Sequence, residues 1–144
     1  MASLPIWWIA ARTYCQATEA EDRVARALDA VAAAGIETRD RVEGQFGNPV
    51  VVLIRRIEGG DAIRETWKRW QEAGLLHALG GSLDGRLDEE GVLHFRIDKE
   101  AAFAGRLLSA GDADAIDIQV KLKAYPANPE EILRVARSLF PEVG

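Results

Sequence analysis

Cysteine and histidine are scarce in this chain, and their scarcity removes several kinds of site. The 144 residues contain one cysteine, Cys15, and two histidines, His77 and His94. A lone cysteine cannot form a disulfide within the chain or a thiolate metal cluster. The histidines are far apart in sequence and lack the spacing of a metal-binding motif. We therefore expect neither a metal nor a cofactor, and we expect Cys15 to be a small buried residue of a strand.

Long apolar segments and an excess of positive charge are also missing. No apolar run approaches the roughly 20 residues that span a bilayer. Residues 6–11 are apolar, but the stretch is short and no basic region precedes it. We therefore expect no signal peptide, no membrane association and a cytoplasmic location. The formal net charge of −5 argues against a general attraction to nucleic acid, so a polyanion would have to meet a local basic patch.

The hydrophobic pattern predicts an α+β fold in which a single domain spans residues 1–144. No linker, repeat or low-complexity segment interrupts the chain, and its length suits one hydrophobic core. Strands are expected at residues 6–15, 36–43, 50–57, 85–88, 92–98 and 115–125. In the first strand Trp7, Trp8 and Ile9 are apolar on both faces, which indicates a central or well-covered strand. We expect a largely antiparallel, curved sheet of about six strands with helices mainly on one face.

The ends of the helices carry capping signals. Thr18 and Glu21 have the T-x-x-E spacing of a capping box, so the first helix is predicted to begin at Thr18. Asp98 is placed as the N-cap of a short helix. Asn128 precedes a proline and two acidic residues, which predicts the start of the last helix.

No catalytic signature is present in the sequence. It contains no G-x-S-x-G segment around a serine, no phosphate-binding G-x-x-x-x-G-K and no dinucleotide-binding G-x-G-x-x-G. Asp84, Asp88 and Asp98 are the clustered candidates for a metal-dependent reaction on RNA or a nucleotide. An enzyme is therefore the weakest of the functional interpretations, and we expect a protein without catalytic activity.

The segment Gly44–Pro49 is a loop of residues that suit special backbone angles. Gly44 and Gly47 allow φ values closed to other residues, and the final proline biases Asn48 toward extended geometry. One interpretation is a simple connection between two strands. The other is functional, since amides beside glycines can meet a phosphate and Phe46 offers a ring for stacking on a base.

Basic residues occupy strand positions from which they can form a strip. They are Arg39 and Arg41 on one face of the second predicted strand, Arg55 and Arg56 at the end of the third, and Lys121 and Lys123 on the outward face of the last. Between residues 39 and 56 four basic residues oppose two acidic ones, a local charge of +2 in an acidic protein. If these strands are neighbours, a basic strip results; the alternative is an ordinary solvated sheet face.

Five segments occur together in an order that resembles a known family. They are Thr18-Glu19, Gly44–Pro49, Arg86–Gly91, Asp98–Gly105 and Lys121–Pro126. From about Ile6 to Pro126 the chain resembles a small archaeal family of predicted RNA-binding proteins that are described as exosome-associated subunits. This resemblance implies a fold like that of the L-five ribosomal protein, a curved sheet backed by helices, and it implies RNA as the ligand.

The resemblance also singles out individual positions. It highlights Gly44, Gly47, Asn48 and Pro49, then Arg86 and Asp88, and then Asp98, Lys99 and Gly105. Gln45 stands where the family more often has histidine. Strand positions and resemblance together give the predicted RNA-binding residues Arg39, Arg41, Asn48, Arg55, Arg56, Arg86, Lys99, Lys121 and Lys123. The predicted structural residues are Gly44, Gly47, Pro49, Asp98 and Gly105.

Two functional interpretations follow from these observations. The first is a non-catalytic protein that contacts structured RNA through the basic strip and the Gly44–Pro49 loop, with Phe46 or Tyr125 stacking on unpaired bases. The alternative is a homodimer, or a subunit of an RNA-processing complex, that makes no RNA contact of its own. In that case Trp67 and Trp70 would be half-buried anchors for a protein partner.

Overall fold

The computed structural model of the protein describes residues 3–44, 47–111 and 114–140. These residues form a five-stranded antiparallel sheet in the order β2-β3-β1-β5-β4. The strands are β1 (Ile6–Cys15), β2 (Ile36–Glu43), β3 (Pro49–Glu58), β4 (Val92–Asp98) and β5 (Ala115–Leu122). The helices are α1 (Glu21–Ala32), α2 (Gly60–Glu72), α3 (Leu75–Leu79), α4 (Lys99–Phe103) and α5 (Pro129–Leu139). The predicted α+β class and the largely antiparallel sheet are confirmed.

The predicted strand at residues 85–88 is wrong, which accounts for five strands instead of about six. A single turn of 3-10 helix, Asp84–Arg86, occupies this segment, and the amide of Arg86 donates to the carbonyl of Leu83 at 3.0 Å. Only Leu87 bridges to β4, through Leu93. The side chain of Asp88 then accepts hydrogen bonds from the amides of Glu90 and Val92, both at 2.9 Å. These local bonds form a turn that competes with a strand ladder.

Helices cover one face of the sheet and form the hydrophobic core with it. Alternate residues of β1, from Ile9 to Cys15, are buried on that side. The core also contains both tryptophans of α2, because Trp70 packs edge-on against Phe95 at 5.4 Å between ring centroids and its indole donates to the carbonyl of Val31 at 3.0 Å. Trp67 is buried as well. Neither ring is available as the half-buried anchor expected for a protein partner.

A bulge at the beginning of β1 changes the environment of its first tryptophans. Ile6 pairs with Leu122 and Trp8 pairs with Lys121, so Trp7 is an extra residue in this strand. The bulge lets Ile6 and Ile9 both enter the core although they are three residues apart. Trp7 is 49% exposed. The prediction of a central strand is confirmed, because β1 is the middle strand of the sheet, but Trp7 leaves it uncovered at this end.

The capping predictions are confirmed at two helices and wrong at one. Asp98 accepts a hydrogen bond from the amide of Ala101 at 2.8 Å, and Asn128 accepts one from Glu131 at 2.9 Å. By contrast α1 begins at Glu21, and Ala20 precedes it without a side-chain cap. In the segment before α1 the carboxylate of Glu19 makes the hydrogen bonds instead. It accepts from the amide of Gln16 at 3.0 Å and from the side chain of Lys99, which is described next.

Lys99 is a buried cation that joins four parts of the fold. It is 4% exposed, and its Nζ donates to the carbonyl of Tyr14 at 2.6 Å, to Asp114 at 2.8 Å and to Glu19 at 3.0 Å. Burial disfavours its charge, but the hydrogen bonds to Asp114 and Glu19 outweigh this effect and raise the pKa of Lys99. The geometry makes Lys99 a structural residue, which corrects its expected position on an RNA-binding surface.

Arg55 is a second buried cation, and it connects the sheet to α1. It is 8% exposed and donates to Asp29 at 2.5 Å, to Glu37 at 2.9 Å and to the carbonyl of Ala25 at 3.2 Å. The chain passes so close that a Cβ on Gly35 would meet the Cβ of Arg55 at 2.7 Å. Arg55 is therefore not part of an exposed basic strip, because the N–H groups of its guanidinium are hydrogen-bonded inside the fold.

We expect Lys99→Met to destabilise the protein, since it leaves two carboxylates and a carbonyl without their shared donor. Because both carboxylates keep some access to water, the expected loss in the free energy of unfolding is about 2 kcal/mol. Denaturant unfolding followed by circular dichroism measures this difference. Lys68→Met, on the exposed side of α2, is the matched control and should change the unfolding free energy by less than about 0.5 kcal/mol. Equal effects of the two substitutions would contradict the assigned role of Lys99.

The ionised form of Glu37 is expected to stabilise the fold. Partial burial opposes its ionisation, but hydrogen bonds from Arg39 and Arg55 outweigh burial and hold the pKa of Glu37 below its ordinary value of 4.5. A carboxyl with a lowered folded-state pKa contributes stability above the unfolded-state value. That contribution is lost as the pH falls below 4.5 through the folded-state value.

Glu37→Gln should therefore lower stability at neutral pH and make the acid-induced fall in unfolding free energy shallower than in the wild type. The measurement is denaturant unfolding at a series of pH values from neutral to acidic. Glu43→Gln, in the same strand and without an ion pair in the part of the chain that the structure describes, should leave the pH profile unchanged. A Glu37→Gln profile parallel to the wild type throughout would count against this assignment.

Candidate nucleic-acid interface

One face of the sheet carries no helix in the part of the chain that the structure describes. The pairing registers place alternate residues of every strand on it, since paired residues in neighbouring strands share a face. We call this surface the open face; it includes Trp8, Ala10, Arg12, Tyr14, Ile36, Thr38, Asp40, Val42, Val50, Val52, Ile54, Arg56, Glu58, Val92, His94, Arg96, Asp117, Gln119 and Lys121.

The predicted basic strip is divided between the two faces. Arg56 and Lys121 lie on the open face. Arg39 and Arg41 pair in register with Leu53 and Val51, which are buried on the helix side. The expectation that all these residues share one surface is wrong, because β2 is an edge strand with charged residues on both faces and its pattern did not show which face meets the helices.

Both arginines of β2 are engaged with acidic residues. Arg39 donates to Glu37 at 2.7 Å and to Glu21 at 3.1 Å, and Arg41 donates to Glu21 at 3.4 Å. The hydrogen bond to Glu37 is the main reason that the pKa of Arg39 is raised. Partial burial lowers this pKa, but by less than the hydrogen bonds raise it. These contacts attach the edge strand to the beginning of α1.

Ion pairs separate the predicted basic residues into two groups. Five of the eight, namely Arg39, Arg41, Arg55, Arg56 and Lys99, lie in ion pairs with carboxylates. The other three, Arg86, Lys121 and Lys123, have no such partner within residues 3–44, 47–111 and 114–140. All three of these lie at or beside the open face.

Cations on aromatic rings are the feature of this region that strand positions alone did not reveal. The Arg56 guanidinium lies 4.4 Å from the ring centre of Trp8, and that of Arg12 lies 5.9 Å from Tyr14. Beside the bulge, Nζ of Lys123 lies 4.4 Å from Trp7. The sequence does place Trp8, Arg12 and Tyr14 on the same face of β1. This pattern indicates a surface of cations and rings only when that face is known to be uncovered.

A corner of the sheet next to the bulge combines accessible rings with two lysines that lack a carboxylate partner among the described residues. Tyr125 is 83% exposed, and with Trp7 and Lys121 it borders a depression of about 160 Å³. Nζ of Lys121 donates to the backbone carbonyl of Glu90. Tyr125, predicted as a stacking residue, is thus accessible beside Lys121 and Lys123.

The Gly44–Pro49 loop connects β2 to β3 near the other end of β1. The amide of Gly44 donates to the carbonyl of Asn48 at 2.7 Å, and Gly47 has φ +77°, as predicted for a residue that needs the left-handed region. At Gly44 the reason for glycine is close packing of the backbone, since a Cβ there would lie 3.0 Å from the carbonyl oxygen of Asn48. Asn48 and Pro49 are exposed. Gln45 and Phe46, and hence the stacking role expected of Phe46, lie outside the described residues.

Arg86 is brought to the open face by the 3-10 turn that replaces the predicted strand. Its Nε donates to the hydroxyl of Ser82 at 2.8 Å, and its side chain borders a depression of about 560 Å³ together with Arg12, His94, Arg96, Asp117 and Gln119. Sequence reasoning identified Arg86 but missed Arg12 and Arg96, which become its neighbours only through strand pairing.

The three acidic residues considered for metal chemistry have separate structural positions. Asp84 forms an ion pair with Arg137 at 3.6 Å, Asp98 caps α4, and Asp88 closes the turn before β4. Burial opposes ionisation of Asp88, but hydrogen bonds from His94 and from the amides of Val92 and Glu90 lower its pKa. The described residues contain no group of three acidic, histidine or cysteine side chains arranged to hold a metal ion. Nor do they include a helix long and apolar enough to cross a membrane.

Gly105 completes the predicted structural residues. It follows α4 with φ +85°, a conformation that residues with a Cβ rarely adopt. No atom lies within 4 Å of a Cβ built there, so its backbone angle and not close packing explains the glycine.

Comparison with known proteins gives consistent results at the level of sequence and fold. A family described as RNA binding matches residues 8–122. An RNA-binding protein of Pyrococcus abyssi is 29% identical over 137 residues, which cover 88% of each chain.

Solved structures match nearly the whole chain. A DUF54 protein from Methanothermobacter thermautotrophicus superimposes with a TM-score of 0.83 at 32% identity, covering 94% of this chain and 98% of its own. A DUF54 protein from Archaeglobus fulgidus gives 0.84 at 27% identity, with 93% and 99% covered. The match thus extends over the open face, the helices behind it and the turn that carries Arg86. The chain therefore belongs to the family described as RNA binding.

Proposed function

We propose that this protein binds structured RNA without catalysing a reaction, and that it does so through the open face and the neighbouring Gly44–Pro49 loop. The observation that carries this proposal is the placement of cations on aromatic rings of an uncovered sheet, Arg56 on Trp8 and Lys123 on Trp7. Basic side chains contact backbone phosphates, and aromatic rings stack on unpaired bases. Membership of an RNA-binding family supports the same ligand.

The ion pairs on the open face are compatible with binding to phosphates. Arg56 and Glu58, 2.8 Å apart, and Arg96 and Asp117, 3.2 Å apart, are exposed to solvent by a third or more. Exposed pairs of this kind contribute at most about 1 kcal/mol, so a phosphate can replace the carboxylate at little cost. The buried pairs of Arg55 and Lys99 are different, because separating them would leave unpaired charges in the interior.

The net charge of −5 restricts where an RNA can approach. Long-range attraction is weak for an acidic protein, so binding depends on the cations that have no carboxylate partner. Lys121 and Lys123 are two such residues in the described part of the chain, and both adjoin the exposed rings of Trp7 and Tyr125. The corner that they form is the expected point of strongest phosphate contact.

We expect the double substitution Lys121→Glu and Lys123→Glu to weaken RNA binding at least about tenfold. It should also reduce the dependence of log affinity on log salt concentration by about one per lysine, because each removed phosphate contact no longer releases counterions. Fluorescence anisotropy of a labelled RNA hairpin at several potassium chloride concentrations measures both quantities.

Arg64→Glu with Lys68→Glu, on α2 at the covered side of the sheet, is the matched control with the same change in net charge. It should retain the salt dependence of the wild type and nearly all of its affinity. Arg39→Glu with Arg41→Glu tests the helix-side face of β2 and should reduce affinity less than about threefold. Equal losses in the open-face and α2 variants, at unchanged folding by circular dichroism, would refute the proposed surface.

A further inference from the structure

The basic depression at the β4 edge of the open face is bordered by the segment 85–88, which we call the wall. Its floor is formed by side chains of β1, β4 and β5, and the wall lies on the outer side of β4, where Leu87 bridges to Leu93. The wall is held by the bridge between Leu87 and Leu93 and by the ion pair of Asp84 with Arg137. Because β4 is the outermost strand, a chain lying across the sheet from β1 meets this wall at the edge.

Three guanidinium groups from different elements converge on the depression. Arg12 comes from β1, Arg96 from β4 and Arg86 from the 3-10 turn. The carboxylate of Asp117 lies 3.8 Å from Arg12 and 3.2 Å from Arg96, so it holds these two side chains next to each other.

Most of the hydrogen-bond donors of these arginines are unused. Arg96 bonds to Asp117 through Nε, and Arg86 bonds to Ser82 through Nε. The terminal amino groups of both side chains have no acceptor among the residues that the structure describes. An arginine has five N–H donors in a planar fork that matches phosphate oxygens, so each retains a pair of donors for an anion.

Acidic groups at the depression are largely satisfied by the protein itself. Asp88 accepts from the amides of Glu90 and Val92, and its other oxygen lies 2.7 Å from Nε2 of His94. Asp117 is shared by Arg12 and Arg96. Two arginines share Asp117, and Arg86 has no carboxylate partner in residues 3–44, 47–111 and 114–140, so positive charge remains at the depression to be matched by a ligand.

We infer that this depression binds a phosphate monoester, and that its ligand is the terminal phosphate of an RNA strand lying on the open face. A monoester carries between one and two negative charges at neutral pH and three acceptor oxygens, whereas an internal phosphodiester carries one charge. In this inference an RNA strand that crosses the open face ends at the wall, and the phosphate beside Arg86 is the last of its strand. The inference rests on the proposed RNA binding for the identity of the strand, while free nucleotides share the same phosphate chemistry.

The test compares internally labelled RNA hairpins that differ only in carrying a 5′-phosphate, a 3′-phosphate or hydroxyl groups at both ends. We expect one of the two phosphates to strengthen binding by the wild-type protein about tenfold, as for a charged group that gains hydrogen bonds. Arg86→Ala should abolish this difference, so that its affinities for the phosphorylated and the hydroxyl-ended hairpins become equal. Arg64→Ala, on α2, is the matched control and should retain the difference.

The outcomes separate this inference from the proposed function. If the wild type binds all three hairpins equally, or if Arg86→Ala keeps the preference, the terminal-phosphate site is refuted while RNA binding stands. If no hairpin binds, RNA binding is refuted, and the site is then judged by nuclear magnetic resonance titration with adenosine 5′-monophosphate and adenosine. Arg86-dependent binding of the monophosphate alone would support a phosphate site for free nucleotides, and equal behaviour of the two compounds would overturn it.

Discussion

Packing of the helices against only one side of the sheet is the constraint on which the rest of this structure depends. Residues alternate between the two faces along every strand, so the same alternation that buries Ile9, Leu53 and Ile118 turns Trp8, Arg56 and Lys121 toward solvent. The hydrophobic core and the candidate RNA-binding surface are therefore built by one pattern. Neither could be moved by a single residue without moving the other.

The same constraint sorts the basic residues by the environment of their charge. A cation on the covered side must lie at the rim beside acidic residues, as Arg39 does, or enter the interior with a complete set of partners, as Arg55 and Lys99 do. An unpaired charge in the interior would cost several kcal/mol. Cations on the open side meet no such requirement, and Lys123 can rest on the ring of Trp7 with water around it. Stabilising and ligand-binding cations are thus distinguished by location and not by residue type.

Local signals predicted the parts of the fold that short-range interactions decide. The alternation along β5, the N-caps Asp98 and Asn128 and the left-handed glycine Gly47 were all recognisable, because each depends on neighbours within a few residues. The α+β class and the one-sided sheet followed from the same patterns.

Long-range contacts decided what the sequence could not show. The capping box of Thr18 and Glu21 does not form, and Glu21 instead accepts hydrogen bonds from Arg39 and Arg41 of the edge strand. Arg55 is buried because Asp29 and Glu37 converge on it, and Arg12 meets Arg96 only through the pairing of β1, β5 and β4. Even with the correct strands, the charged edge strand β2 gave no indication of which of its faces the helices cover.

The two pairs of tryptophans allow the most direct test of the claim that RNA lies on the uncovered side of the sheet. Trp7 and Trp8 lie in β1 next to the exposed cations, whereas Trp67 and Trp70 are buried on the inner side of α2. In a nitrogen-15 heteronuclear spectrum each indole N–H gives its own signal, so titration with an RNA hairpin reports on both sides of the molecule at once. The account predicts that the signals of Trp7 and Trp8 shift with added RNA while those of Trp67 and Trp70 stay in place. Shifts confined to Trp67 and Trp70, or binding that moves none of the four, would contradict it.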